Sequence, residues 1–224
     1  MLAWLQGKDP FPPIERALKN PNGLLAAGGA LTVERLLEAY RHGVFPWYSG
    51  SEPILWWSPD PRMVLYCDDL RVSRSLAKNI RNRGYEVRVD SAFGAVLDGC
   101  AERPQTWLGP DMKKAYVRLH RAGHAHSFET WRDGEIVGGL YGVAIGRMFY
   151  GESMFSRTTD ASKVALVSLV AELRARHFPL IDCQMHTPLL ASLGAREIPR
   201  RAFLRELTAL VNYPQQPGKW NVKT

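Results

Sequence analysis

Residues 126–155 constrain the fold more than any other stretch. Two apolar runs, HSFETW and EIVGGLYGV, flank Arg132-Asp133-Gly134. Asp-Gly between such runs is a strong hairpin signal, because tight hairpin turns need residues that tolerate positive φ. A second turn is expected over Ala144-Ile145-Gly146, leading into RMFYGESMF. Three antiparallel strands in succession are therefore predicted.

Helical spacing surrounds this core. Val33, Leu36, Leu37 and Tyr40 fall at i, i+3, i+4, i+7, and Gly43 stands where a C-terminal cap would sit. FPWYSGSEPILWWSPDPR, dense in Pro and aromatics, reads as loop and short extended segments linking two lobes. Val72, Leu76 and Ile80 predict a helix ended by Gly84, with Arg74, Lys78 and Arg81 on its other face. Tyr85, Val87 and Val89 alternate as on a strand. Phe93, Val96, Leu97 and Cys100, then Met112, Tyr116 and Leu119, return to helical spacing. Asp160 is expected to cap a helix with Leu166, Leu169, Val170 and Leu173 inward and Pro179 just past its end. LIDCQM reads as a strand, and Phe203, Leu207, Leu210 and Val211 as a last amphipathic helix.

This order predicts an α/β (α+β) chain with a mostly antiparallel sheet. The expected division is a small N-terminal domain over residues 1–61 and a GNAT-like domain over residues 62–224, where any catalytic groups should lie. The arrangement looks like the acyltransferase fold of the GNAT class. That class holds coenzyme A with a glycine loop opening the helix after the third hairpin strand, where backbone N–H groups meet a pyrophosphate. Here the place holds SRTTDASKV, without glycine. A different acyl donor is expected.

Composition narrows the classes. The chain of 224 residues is 46% hydrophobic, enough for a real core. No run of about 18 apolar residues is present, so no membrane helix is expected. The first residues, MLAWLQGKDPFPPIE, lack a basic region before an apolar stretch, which argues against a secretory signal. Cys67, Cys100 and Cys183 are too few and too scattered for a disulfide framework or a zinc pattern, and read as reduced thiols. His124 and His126 read as structural, and no metal site is expected. The net charge of +7 permits a polyanionic partner without requiring one.

Four constellations could carry chemistry. On a strand, Asp182 and Gln184 share one face, with Ile181, Cys183 and Met185 on the other. They are either a structural hydrogen-bonding pair or a polar pair that acts on substrate. Glu152, among Phe149, Tyr150, Met154 and Phe155, is either paired with Arg157 or held for a cationic ligand. Trp47, Tyr48, Trp56, Trp57 and Trp107 are either core or stacking platforms for nucleobases. Arg71, Arg74, Lys78 and Arg81 form either a solvated helix face or a contact to phosphates.

Together these stretches resemble one family, the bacterial leucyl/phenylalanyl-tRNA–protein transferases. The resemblance rests on NPNGLLAAGGALTVERLLEAYRHGVFPWYS, PILWWSPDPR, GESMFSR, LIDCQ and ASLGAREIPR, and spans nearly the whole chain. It implies transfer of Leu, Phe or Met from aminoacyl-tRNA to the α-amine of proteins with N-terminal Arg or Lys, which marks them for N-degron degradation. It implies a cytoplasmic monomer without a cofactor. Asp182 and Gln184 would work at the attacking amine, as base or as orienting pair. Glu152 would meet the acceptor terminus. Trp47, Trp107 and Tyr116 would hold the terminal adenosine. Leu140, Phe149, Met154, Leu166, Leu169, Leu173 and Ile181 would form the amino-acid pocket. Two competing classes are a coenzyme A-dependent N-acetyltransferase and a non-catalytic RNA-binding module. The first conflicts with the missing glycine loop; the second leaves Asp182, Gln184 and Glu152 unexplained.

Overall fold

The computed structural model describes residues 2–50, 52–102, 106–214 and 216–220. Ser51, inside the Pro- and aromatic-rich stretch, and residues 221–224 at the chain end lie outside that description. The N-terminal segment forms a four-stranded sheet from β1 (Ala3–Leu5), β2 (Leu24–Gly28), β3 (Phe45–Pro46) and β4 (Leu55–Trp57), ordered β1-β2-β4-β3. Helix α1 (Val33–Arg41) runs between β2 and β3, its N-terminus capped by Thr32, which accepts from the Arg35 N–H. Gly43 follows the helix end at φ +73, as its position in the sequence suggested.

The second sheet takes β5 (Arg62–Tyr66), β6 (Glu86–Val89), β7 (Ala125–Arg132), β8 (Glu135–Ile145), β9 (Met148–Ser156), β10 (Leu180–Gln184) and β11 (Arg196–Ile198), ordered β11-β5-β10-β9-β8-β7-β6. Helices α2 (Arg74–Asn82), α3 (Phe93–Ala101), α4 (Pro110–Arg121), α5 (Ala161–Ala175), α6 (Pro188–Ser192) and α7 (Arg200–Val211) connect and cover it. The class is mixed α/β with mostly antiparallel strands, as the element order predicted. Strands β7, β8 and β9 follow in succession, and Asp133 and Gly134 turn the first hairpin at φ 53 and 82. Strands β9 and β10 run parallel, so a helical crossover must join them, and α5 supplies it.

Three local expectations shift. Ala144 and Ile145 stay in β8, paired with Phe149 and Met148, and the turn falls on Gly146 at φ +61. Val72 lies outside α2, exposed, because Ser73 accepts from the Leu76 N–H and starts the helix at Arg74. Asp160 precedes α5 but is left-handed at φ 65 and caps no backbone N–H; its carboxylate holds Lys163 and Asn79 instead.

Strand alternation sorts the core onto two faces of the sheet. Met148, Tyr150 and Leu180 join the cluster that includes Tyr40, Trp56, Tyr116 and Phe203. Phe149 and Ile181 join the cluster built on Leu166, Leu169, Val170 and Leu173 of α5. The first cluster spans both sheets, running from Leu5 to Val211.

Candidate active site

Strands β9 and β10 pair over three positions only, ending at Asp182 opposite Tyr150. Beyond that point each strand carries an irregularity. Opposite β8, Tyr141 pairs with Ser153 and Gly142 with Gly151, so Glu152 is the extra residue of a bulge. Opposite β5, Val64 pairs with Asp182 and Met63 with Gln184, so Cys183 is extra there. Gln184 itself takes φ 64. The two bulges turn the strands apart and re-aim their side chains into the gap.

A cavity of about 430 Å³ occupies this gap, within the usual range of roughly 300–1,000 Å³ for small-molecule sites. Leu140, Met154, Leu166, Leu169 and Ile181 give it an apolar wall. Glu152 and Gln184 add polar groups, and Trp47 and Trp107 contribute indoles. Phe149 and Leu173, expected in the same wall, are fully buried one layer behind it.

Glu152 sits in a closed hydrogen-bonding group. The Tyr40 hydroxyl donates to Oε1 at 2.8 Å and the Tyr116 hydroxyl to Oε2 at 2.7 Å. The two hydroxyl oxygens lie 2.8 Å apart, and Gln184 Nε2 donates to Oε1 at 3.0 Å. Two hydroxyl protons serve only two of the three contacts among Tyr40, Tyr116 and Glu152. The triangle is complete when the carboxyl carries a third. Burial correspondingly pushes the Glu152 carboxyl up to about 7, against the pull of Tyr116, Tyr40 and Gln184, and the nearby Asp182 charge pushes the same way. Burial raises both tyrosines well above their ordinary range, so they remain hydroxyl donors. Arg157 is not the partner of Glu152; it pairs with Glu102 at 2.5 Å.

Asp182 faces away from the cavity wall. It is fully buried, and Arg62, equally buried, grips it with two bonds: Nε to Oδ1 at 2.8 Å and Nη2 to Oδ2 at 2.6 Å. Oδ1 also accepts the Gln184 N–H at 2.9 Å. Both oxygens are thus engaged, and the carboxylate acts on the backbone that carries Gln184. The expected sharing of one face by Asp182 and Gln184 fails because the bulge at Cys183 breaks the alternation; Cys183, Gln184 and Met185 all reach the cavity. Burial pushes the Cys183 thiol well above its ordinary range.

Tyr116 is buried, with its hydroxyl committed to Glu152 and Tyr40, and its ring edge-on to Trp107 at 6.4 Å. Trp47 is held by Trp57, whose Nε1 donates to the Trp47 carbonyl at 2.6 Å. Arg71, Arg74, Lys78 and Arg81 are exposed, and among the described residues none of them has an ion-pair partner. Two residues of the site escaped the sequence reading. Tyr40 was legible only as part of an apolar helix face. Arg62 opens the buried run RMVLY, and an arginine inside such a strand requires an acid; Asp182, inside LIDCQ, is the matching acid.

A model of the leucyl/phenylalanyl-tRNA protein transferase family matches residues 64–208, and one of that family's N-terminal domain matches residues 29–60. The leucyl/phenylalanyl-tRNA--protein transferase of Chromobacterium violaceum is 59% identical over 225 residues, covering 99% of this chain and 97% of that one. The protein of the same name from Thiobacillus denitrificans is 63% identical over 214 residues, covering 94% of each. Among solved structures, FemX aligns at TM-score 0.48 with 12% identity, covering 78% of this chain and 71% of that one. Both family models match in chain order and the relatives match over nearly their full length, so the chain belongs to the leucyl/phenylalanyl-tRNA protein transferase family.

Proposed function

We propose that the protein transfers a leucyl, phenylalanyl or methionyl residue from aminoacyl-tRNA to the α-amine of proteins that begin with Arg or Lys. In this reading it works as a cytoplasmic monomer, marks its products for degradation, and is built from a small domain over residues 1–61 and a catalytic domain over residues 62–224. The observation that carries the chemistry is the cavity between β9 and β10, with Glu152 and Gln184 facing an apolar wall. No helix among the described residues is long and apolar enough to cross a membrane.

The reaction forms a C–N bond and breaks the ester C–O bond to the terminal ribose. An ammonium must lose two protons to become an amide nitrogen. One passes to Glu152, whose carboxyl lies near 7 and so exchanges a proton at neutral pH. The other ends on the departing ribose oxygen. Glu152 as carboxylate also attracts the cationic acceptor terminus. Gln184 donates its amide N–H to Glu152, which leaves the amide oxygen to accept from the amine. Asp182 and Arg62 act through the Gln184 backbone and orient it. The aminoacyl side chain packs on Leu140, Met154, Leu166, Leu169 and Ile181, backed by Phe149 and Leu173. Trp47 and Trp107 take the terminal adenosine by stacking, and the stripe on α2 takes phosphates. Most of the work is positioning, because aminolysis of an activated ester is already downhill.

The test is incubation with leucyl-tRNA or phenylalanyl-tRNA and a peptide beginning with arginine, followed by mass analysis. The expected result is one added leucyl or phenylalanyl residue at the peptide N-terminus. Peptide acetylation in a parallel reaction with acetyl coenzyme A, and none from charged tRNA, would overturn the reading.

A further inference from the structure

Beyond α7, residues 216–220 lie against the body and are held at Gly218 and at Trp220. Gly218 N–H donates to the Gly123 carbonyl at 3.2 Å. The backbones pass so closely that a Cβ on Gly123 would lie 2.2 Å from the Gly218 nitrogen. Two residues on, Trp220 is buried. Its N–H donates to Asp90 Oδ2 at 2.8 Å, and the same oxygen meets His126 Nδ1 at 2.9 Å. The indole stacks on the His126 ring at 4.0 Å and 15°. The Arg176 guanidinium lies 4.7 Å from it. Burial pushes the Asp90 carboxyl up, but the bonds from His126, Trp220 and Ser127 outweigh it and hold the group below its usual range. The anchor therefore stays a carboxylate.

The indole points into the cluster behind the cavity. It sits 6.0 Å from Phe149, 6.4 Å from Phe128 and 5.7 Å from Phe178. Phe149 in turn fills the notch over Gly142, where a Cβ would lie 2.5 Å from its ring. Leu140 and Gly142 are two apart on β8, so the ring lies beside Leu140. Phe149 also stands opposite Ile181 on the neighbouring strand. Leu140 and Ile181 are cavity wall. Trp220, Phe149 and that wall form three successive layers.

We infer that Trp220 is a positioning residue for donor selectivity: it braces Phe149 and so sets the depth of the apolar wall that receives the aminoacyl side chain. The inference rests on the proposed transfer reaction. A smaller side chain at 220 lets Phe149 retreat. The pocket deepens, a leucyl group loses contact, and a phenylalanyl group fills the new space.

The experiment compares the full-length protein with Trp220→Ala and Trp220→Phe. Each is given leucyl-tRNA and phenylalanyl-tRNA in competition for one arginine-led peptide. The leucine-to-phenylalanine ratio of kcat/KM is expected to fall about 10-fold in Trp220→Ala, the scale of one or two methylenes in a pocket. Trp220→Phe should restore part of it. A purely structural role lowers both donors together and leaves the ratio in place, so an unchanged ratio overturns the inference. If Trp220→Ala does not fold, Trp220→Leu and Trp220→Phe carry the same reading. Their shifts should be non-additive with Phe149→Leu, and additive shifts also overturn it. Wild-type protein that transfers neither residue defeats the transfer reading itself, a result distinct from an unmoved ratio.

Discussion

Asp182→Asn separates an orienting carboxylate from a chemical one. The substitution keeps the side-chain shape and removes the charge that faces Arg62. Both residues have no exposed surface, so water cannot replace the lost partner. What remains for the guanidinium is the Gly43 carbonyl at 3.1 Å and the rings of Phe45 and Phe203 at 4.8 and 4.7 Å. Breaking one side of a buried pair costs about 3–5 kcal/mol. The asparagine oxygen still accepts one bond, which favours the lower end, about 3 kcal/mol. For a chain of this size each kcal/mol moves the melting temperature by about 2–4 °C, so a drop of about 6–12 °C is expected. Turnover of the folded variant, measured well below its Tm with both substrates saturating, should fall by about 10-fold or less, since Gln184 keeps an acceptor for its N–H. A positioned proton-transfer group would instead be worth about 10²–10⁴-fold. Arg62→Met combined with Asp182→Leu should recover most of the stability, because a buried pair can be replaced by apolar residues at little cost. The reasoning is refuted if Asp182→Asn melts within about 2 °C of wild type yet loses 10²-fold or more in turnover.

Glu152→Gln tests the proton station. The Glu152 carboxyl is raised from its ordinary 4.5 to about 7, so the folded protein binds more protons than the unfolded chain between those values. Stability contributed there is lost as pH rises through about 7, and the variant should be less pH-sensitive across that window in thermal unfolding. In wild type, kcat/KM for the acceptor should rise with pH through about 7, where the carboxylate appears, and the variant should lose that limb; a wild-type profile flat from about 6 to 8 rules it out. Charge removal at Arg74, Lys78 and Arg81 should weaken tRNA binding and flatten its salt dependence by about one unit of slope or less each, and an unchanged slope in the triple alanine variant returns α2 to a solvated face. Met154→Ala should widen the pocket and cost leucine more than phenylalanine in donor competition, and a folded variant with an unchanged ratio removes Met154 from the wall.

Periodicity was enough for the hairpin strands and the longer helices, but β2, β5, β11 and α6 are too short or too irregular to carry a pattern. Asp133-Gly134 placed the hairpin and the Leu166–Leu173 face placed α5, while the parallel pairing of β9 with β10 emerged only in the structure. The site was harder to read because it depends on breaks in that periodicity. Asp182 and Gln184 lie two apart, and the rule for a regular strand puts them together. The bulge at Cys183 sends them to different surroundings, and no residue in LIDCQ announces it. Tyr40 followed its helix spacing inward, but its hydroxyl became a ligand of Glu152 only through a contact 112 residues away. Spacing suggested Arg157 as the partner of Glu152, five positions on. Arg157 pairs instead with Glu102, 55 residues before it. Trp220 carried no pattern at all, since a single indole near a chain end has no period.

Tyr40 also has a bearing on the order in which the protein is made. Its hydroxyl meets Glu152 and its carbonyl accepts from the Tyr150 hydroxyl at 2.9 Å, contacts that span 112 and 110 residues. A ribosome therefore finishes α1 long before the residues that satisfy it have emerged. Until β9 arrives, the Glu152 triangle does not exist. A nascent chain stopped after residue 60 should expose apolar surface, and one stopped after α4 should still lack a site. Glu152 gains its tyrosine partners when β9 closes on Tyr40, and the cavity is complete only once α5 and β10 have followed.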